Sequence, residues 1–476
     1  MIMTKGIWFF FIVAFVVLLG GRTKGADLST TITVLNNTLW VSAVSPLIST
    51  VNNPKNAHQG ILLTVRDLTW GALGALTLGL TNGSKIAQQF LEIAISSQDT
   101  NPSSQTYGRS TPTSKFCKNT YPVSNLIFYQ SGNIPWQMQY GNLTNAPPVT
   151  VNDPNSIEFA SQGIAVIVAR FSSQLDPTFL DGSLRPAITL MFAALERHIV
   201  SASYTNIFLM KTTSLILLGE FMGNDTIIND GYNRLDSWLN LTMNSGVAEY
   251  SSPTYTWVQM DSLNMGHLYA KTALGRAKFK VSLDYIWMDI LSTYFVPANQ
   301  ISGSHSRAYN FLICNDSCDI DTYLKMSTYL RPLFEWTDNM PLTTLLRYIS
   351  GEDVHALLTA IDGGYVVERD HPLFNNGLIP SWLSANRVIV ARYGLDTSGQ
   401  DRYVYVTPHF VMGSSSADYG AQDKTTNIMF EYVGEPLPEI NIYADNTDDP
   451  YGFSEVLDST GHPKPVHLQG NVHMSE

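Results

Sequence analysis

Apolar positions recur at helical spacing from about residue 58 to 325, and alternation at strand spacing takes over from about residue 387. Ile61 to Leu80 is apolar with small residues among it. Ser84 to Ile95 continues the pattern, with Ile86, Phe90 and Ile93 one helix turn apart. Residues 100–155 are rich in Ser, Thr, Asn and Pro and predict a long loop, and a loop that long inside a compact domain is usually functional. Helices then come in pairs: Ser156–Phe171 with Leu184–Val200, Thr205–Gly223 with Thr226–Asn244, and Thr254–Leu274 with Lys280–Tyr294. Repeated hairpins of about 45 residues build solenoids or closed toroids. The pairs carry no tetratricopeptide, ankyrin or HEAT signature, which favours a toroid whose loops differ because they build a site.

Residues 331–386 are mixed, with short helices expected near Leu342–Ile349 and Val354–Ile361. Beyond them Arg387–Tyr393, Arg402–Val406, Asn427–Val433 and Glu439–Tyr443 alternate and are rich in β-formers. The expected fold is mainly α with a C-terminal β region. It is an (α/α) helical-hairpin toroid over residues 27–386, followed by an antiparallel, sandwich-like sheet domain over 387–476.

The N-terminus changes the picture from fold to compartment. Lys5 precedes an apolar run of 13 residues, Ile7 to Leu19, which is the length of a secretory signal core and short for a membrane span. Cleavage is expected between Gly21 and Ala26, making residues 1–26 a leader and the mature chain secreted or lumenal. No second apolar stretch reaches a spanning length of about 18 residues, so no stable membrane insertion is expected after cleavage. Six sequons, Asn36, Asn82, Asn142, Asn224, Asn240 and Asn315, then read as glycosylation sites. Of three cysteines, Cys314 and Cys318 bracket a loop-forming Asn-Asp-Ser and predict a local disulfide. That leaves Cys117 over, as a free thiol or for an intermolecular bridge. A zinc site lacks the further cysteines or His pair it needs, and no metal or other cofactor is expected.

The net charge is −12, and loss of Lys5, Arg22 and Lys24 with the leader takes it to −15, which argues against a nucleic-acid partner. Charged residues are 14 % and aromatics 11 %, a balance suited to an extracellular protein whose rings stack on sugars or fill a large core.

In a ring of hairpins the inner helices all start at one end, and residues at those starts converge on one cleft that the helix dipoles make positive. Four polar stretches sit at such starts: Arg66-Asp67-Leu68-Thr69-Trp70; Gln98-Asp99 with Gly132-Asn133-Ile134-Pro135-Trp136; Glu249 to Tyr255; and Ser302 to Tyr309, which holds His305 and Arg307. Asp67, Glu249, Tyr255, His305 and Arg307 are the candidate catalytic residues. Arg66, Trp70, Asp99, Trp136, Glu158 and Tyr309 are candidates for binding substrate. Each has a simpler reading. Asp67 and Glu249 suit helix starts, Tyr255 and Trp136 suit a core, and a single His is usually structural. His371 carries little signal, and Ser414 to Ser416 lack the Gly-x-Ser-x-Gly context of a nucleophile elbow.

Val65-Arg66-Asp67-Leu68-Thr69-Trp70, with Gln98-Asp99 and Ile134-Pro135-Trp136, resembles the front of the six-hairpin glycosidases. Glu249-Tyr-Ser-Ser-Pro-Thr-Tyr255 and Ser304-His-Ser-Arg307 resemble stretches of uncharacterised secreted or bacterial proteins with the same toroid. The resemblance spans roughly residues 58–430. It implies an (α/α) toroid and a polysaccharide or glycan partner, but such toroids also carry polysaccharide lyases, so it does not choose the reaction.

Three readings follow. Hydrolysis, the leading one, needs two carboxylates flanking a glycosidic bond; Asp67 and Glu249 are the pair, with Asp99 and Glu158 in reserve. A lyase needs a Tyr or His base and a cation against a uronate carboxylate, which Tyr255, His305, Arg307 and Tyr309 supply. A non-catalytic glycan-binding or structural glycoprotein that associates with copies of itself would suit the odd cysteine and the sequons.

Overall fold

A computed structural model describes residues 48–49, 51–52, 61–77, 82–100, 133–134, 137–140, 155–295, 300–308, 387–393, 400–415, 426–430, 439–442 and 472–475. The leader, all three cysteines, Asn36, Asn142, Asn315 and the helices expected near 342–361 lie outside them.

The described chain is mainly helical, with an antiparallel sheet at its C-terminal end. Strand β1 (Ile61–Thr64) runs into helix α1 (Val65–Thr77), followed by α2 (Gly83–Ser96). β1 pairs antiparallel with β2 (Gln137–Tyr140), Ile61 opposite Tyr140. Helix α3 (Ser156–Phe171) leads through a π-helical turn, Leu180–Leu184, into α4 (Arg185–Arg197). Then come α5 (Thr205–Met222), α6 (Asp225–Ser245), α7 (Thr256–Tyr269) and α8 (Ala273–Thr293).

These eight helices form four hairpins in two layers. Helices α1, α3, α5 and α7 pack in succession, each against the next, while α2, α4, α6 and α8 each back the helix before them. Burial separates the layers. In α5 every residue from Thr205 to Glu220 is buried, and α7 is buried from Thr256 to Gly266 except Val258. A helix surrounded by protein has no polar face to show. In α6, by contrast, the buried positions are Ile227, Gly231, Leu235, Trp238, Thr242 and Ser245, a single stripe three and four residues apart. Neighbouring helices come close where side chains vanish: a Cβ on Gly266 of α7 would sit 2.3 Å from the Phe279 ring of α8.

Two helix starts differ from the sequence expectation, each because of a hydroxyl. Thr64 Oγ1 accepts the Asp67 amide at 3.0 Å and donates to the Asp67 carboxylate at 2.5 Å, so α1 begins at Val65 and the residues before it are free to pair as β1. Thr272 Oγ1 accepts the Gly275 amide at 2.9 Å, which places the break between α7 and α8 at residues 270–272 rather than after Leu274.

Helix α8 ends in a short hairpin, β3 (Tyr294–Phe295) with β4 (Gln300–Ile301). The sheet follows: β5 (Arg387–Tyr393), β6 (Gln400–Val406), β7 (Phe410–Ser415), β8 (Thr426–Phe430), β9 (Glu439–Ile442) and β10 (Val472–Ser475). Its order is β10-β9-β8-β7-β6-β5, an antiparallel meander. Val404, Val406, Val411 and Met429 share one face and close a small core with Phe295, so the sheet packs on the end of α8. Strand β7, Phe-Val-Met-Gly-Ser-Ser, escaped the sequence reading because its polar end hides the alternation.

The sheet meets the loop after β4 glycine against glycine. Gly303, at φ +93°, touches Val404, and a Cβ on Gly413 would fall 2.2 Å from Gly303 Cα. Backbone cannot swing away as a side-chain tip does. Gly413→Ala therefore costs about 2 kcal/mol or more by overpacking, measured as the shift in urea unfolding. An unchanged midpoint would show that this contact does not form.

Candidate functional site

The starts of the inner helices meet, and the residues that head them carry the site. Asn155, Tyr204 and Tyr255 occupy the N-cap positions of α3, α5 and α7, and none of the three uses its side chain to cap its own helix. Asn155 Nδ2 donates to the Tyr204 hydroxyl at 3.3 Å. The Arg307 guanidinium lies 5.3 Å from the Tyr204 ring centre and 4.0 Å from that of Tyr255, and its Nη2 donates to the Tyr255 hydroxyl at 3.1 Å. Helix α1 opens beside them, with Arg66 over the rings of Trp70 at 4.5 Å and Phe159 at 5.2 Å. Each helix start contributes a partial positive charge to this surface.

Behind the half-buried Tyr255 and Arg307 stands Glu249, with no exposed surface. Its Oε1 accepts from Arg307 Nη1 at 2.7 Å. Its Oε2 accepts from the Asn206 backbone amide at 2.8 Å and from Gln259 Nε2 at 3.5 Å. Asn206 is the second residue of α5, where the amide has no partner within the helix, and Glu249 supplies one from another segment. Burial pushes the Glu249 carboxyl up from its ordinary value, against the pull of Arg307 and of the Asn206 amide.

The two loops that hold this group are strained and tied together. Ser251 and Arg307 have φ of +42° and +44°, a region that costs a non-glycine residue roughly 1–3 kcal/mol and persists only where surroundings impose it. Ser306 donates its amide and its hydroxyl to the Tyr250 carbonyl, at 3.0 and 2.9 Å. His305 Nδ1 donates to the Ser251 carbonyl at 2.7 Å, so that nitrogen carries a proton. Ser252 Oγ accepts the Tyr255 amide at 3.0 Å.

Of the residues singled out in the sequence, Glu249, Tyr255 and Arg307 thus come together, with the buried His305 bracing their loops. Asp67 is exposed and engaged with Thr64 in the first turn of α1. Glu158 is buried away from that group and accepts from His198 Nδ1 at 2.8 Å. Asp99 donates its amide to the Asn133 carbonyl at 2.9 Å, and Asn133 Oδ1 accepts from Ser156 Oγ at the head of α3 at 3.1 Å. Trp136 and Tyr309 lie outside the described residues. Asn155 and Tyr204 were missed in the sequence, although the reasoning that gathered helix starts applies equally to them. The sequons Asn82, Asn224 and Asn240 are exposed, and Asn224 Oδ1 accepts the Ile227 amide at 3.2 Å as the cap of α6.

The region with this geometry matches a family model described as a domain of unknown function, DUF8769, over residues 30–326. The chain belongs to that family. The DUF8769 match takes in α1 to α8 and the loop bearing Arg307 and ends before β5. No curated protein matches the chain. Among the described residues no helix is long and apolar enough to cross a membrane, and no group of three or more His, Cys, Asp and Glu is placed to hold a metal.

A second buried cluster joins Lys211, His198 and Glu158. Lys211 of α5 is 1 % exposed and its Nζ donates to the His198 carbonyl at 2.6 Å. Burial pushes the ammonium down to about 8, helped by Arg234 and opposed by Glu158. A lysine depressed in this way supplies stability above its unfolded value, near 10.4, and that stability is lost as pH falls through about 8. Lys211→Met escapes the loss. Its advantage over the parent should grow by roughly 2–3 kcal/mol between pH 10 and pH 7, read from urea unfolding at each pH. A pH-independent difference would refute the burial of a charged Lys211.

Proposed function

We propose that the Tyr255–Arg307 group is a proton-transfer site acting on an anionic glycan, and that the reaction is β-elimination. The observation that carries this reading is the pairing of the Tyr255 hydroxyl with Arg307 Nη2 at 3.1 Å, both half-buried, over a Glu249 that is wholly buried. Hydrolysis needs two carboxylates reaching the sugar from opposite sides. Glu249 is spent on Arg307 and the α5 amide, and Asp67 is held by Thr64. Elimination needs only a base and a cation, which are present side by side.

In the proposed reaction the substrate carboxylate sits against Arg307 and the helix starts. Arg307 and those dipoles stabilise the negative charge that builds on the carboxylate when the neighbouring C–H is broken. Tyr255, ionised against the Arg307 guanidinium, takes the proton on its phenolate oxygen; the electron pair forms the carbon–carbon double bond, and the glycosidic C–O bond on the adjacent carbon breaks. Tyr255 then gives that proton to the leaving oxygen and returns to the phenolate. Tyr204 and Asn155 line the same mouth and suit sugar stacking and hydroxyl contacts. The four hairpins belong, on this reading, to an (α/α) toroid, and the chain is a secreted glycoprotein whose exposed sequons carry glycans.

The test is incubation of the purified chain with neutral and uronate polysaccharides. Absorbance at roughly 230–235 nm reports the unsaturated uronate, and Tyr255→Phe should lower its rate by about 100-fold or more. Reducing ends without that absorbance would move the assignment to hydrolysis, and no product from any polymer would sink both.

A further inference from the structure

We infer that Arg402, carried by the C-terminal sheet, is a positioning residue for the Tyr255–Arg307 site, so that the sheet is part of that site. Arg402 lies on the inner face of β6 and is 1 % exposed. Its Nη2 donates to Asp289 Oδ1 of α8 at 2.8 Å and its Nη1 to Ser251 Oγ at 3.1 Å, across 151 residues of sequence. The guanidinium stands 5.3 Å from the Tyr250 ring centre. A buried guanidinium is costly unless partners engage it, and here one arm of the fork is anchored on a helix while the other grips a loop.

That grip falls on the residue that needs it. Ser251 sits at φ +42°, where an L residue does not stay unaided. Arg402 holds its hydroxyl from the sheet and His305 holds its carbonyl. Glu249 lies two residues before it and Tyr255 four after, so the angle at Ser251 sets both. The second loop of the site is seated by the same sheet, since Gly303 rests on Val404 and Gly413 four residues before Arg307. The family match contains Glu249, Tyr255 and Arg307 but ends at residue 326, so the part that orients them comes from outside it.

Amide exchange of the full-length chain tests this without reference to any substrate. The reporting amides are Asn206, bonded to Glu249 Oε2, Ser306, bonded to the Tyr250 carbonyl, and Tyr255, bonded to Ser252 Oγ. Arg402→Lys keeps the charge and the reach to Asp289 but loses the fork. Exchange at these three amides should quicken by about tenfold while the amides of α3 and α6 keep their rates. Parent rates at the three amides, or an even loosening of all the helices, would overturn the proposal. Should Arg402→Lys fail to fold, Ser251→Ala removes the accepting hydroxyl without touching the sheet, and parent exchange rates in that variant would overturn it equally. The kinetic consequence rests on the eliminase reading: Arg402→Lys should lower kcat by about tenfold and leave KM in place. A chain that cleaves no polymer yet shows the local exchange response would refute that reading and keep this one.

Discussion

A carboxylate with no exposed surface must be met by charge and donors, and Glu249 is met from three directions. Arg307 comes from the loop after β4, the Asn206 amide from the start of α5, and Gln259 from α7. No two of these are neighbours in sequence. The buried ion therefore acts as the fixed point at which two inner helices and the 300–308 loop agree on their relative positions. Desolvating such a pair is expensive, and its retention makes sense where a unique arrangement matters more than raw stability. The arrangement it enforces puts the Tyr255 hydroxyl against the second arm of Arg307.

Around that point the protein stores strain instead of relieving it. Ser251 and Arg307 both hold positive φ, and both lie on the loops that frame the site. Their neighbours are knotted by hydrogen bonds from Ser306, His305 and Arg402. The helical layers supply rigidity below: α5 and α7 are buried on every side, and their first residues are the ones that face the site. The sheet adds a third support, closing on Phe295 and on Gly303.

Much of this was legible in the amino-acid pattern. Eight helices and their pairing follow from apolar spacing, because outer helices such as α6 bury one stripe and leave the rest polar. The helix-start logic places Tyr255, the N-cap of α7, at this end of the hairpins, whereas Glu249 and Arg307 reach it from loops. The assignment of Asp67 as partner carboxylate rested on the same logic and met local chemistry instead, because Thr64 three residues earlier claims it. Arg402 could not be found in this way. Its role depends on a contact between segments far apart in sequence, and an arginine in an alternating strand reads as a solvent-facing residue. Lys211 was hidden for a related reason: an all-round buried helix shows no polar face against which a misplaced charge would stand out.

The pair at the centre of this account can be weighed directly by a double-mutant cycle on unfolding free energy, with Glu249→Gln, Arg307→Met and the two combined. If the buried ion pair organises the helix starts, each single change costs about 3 kcal/mol, and the double change falls short of their sum by about 2 kcal/mol or more. Costs that add to within about 0.5 kcal/mol would mean that Glu249 and Arg307 do not depend on each other, and the account would fail.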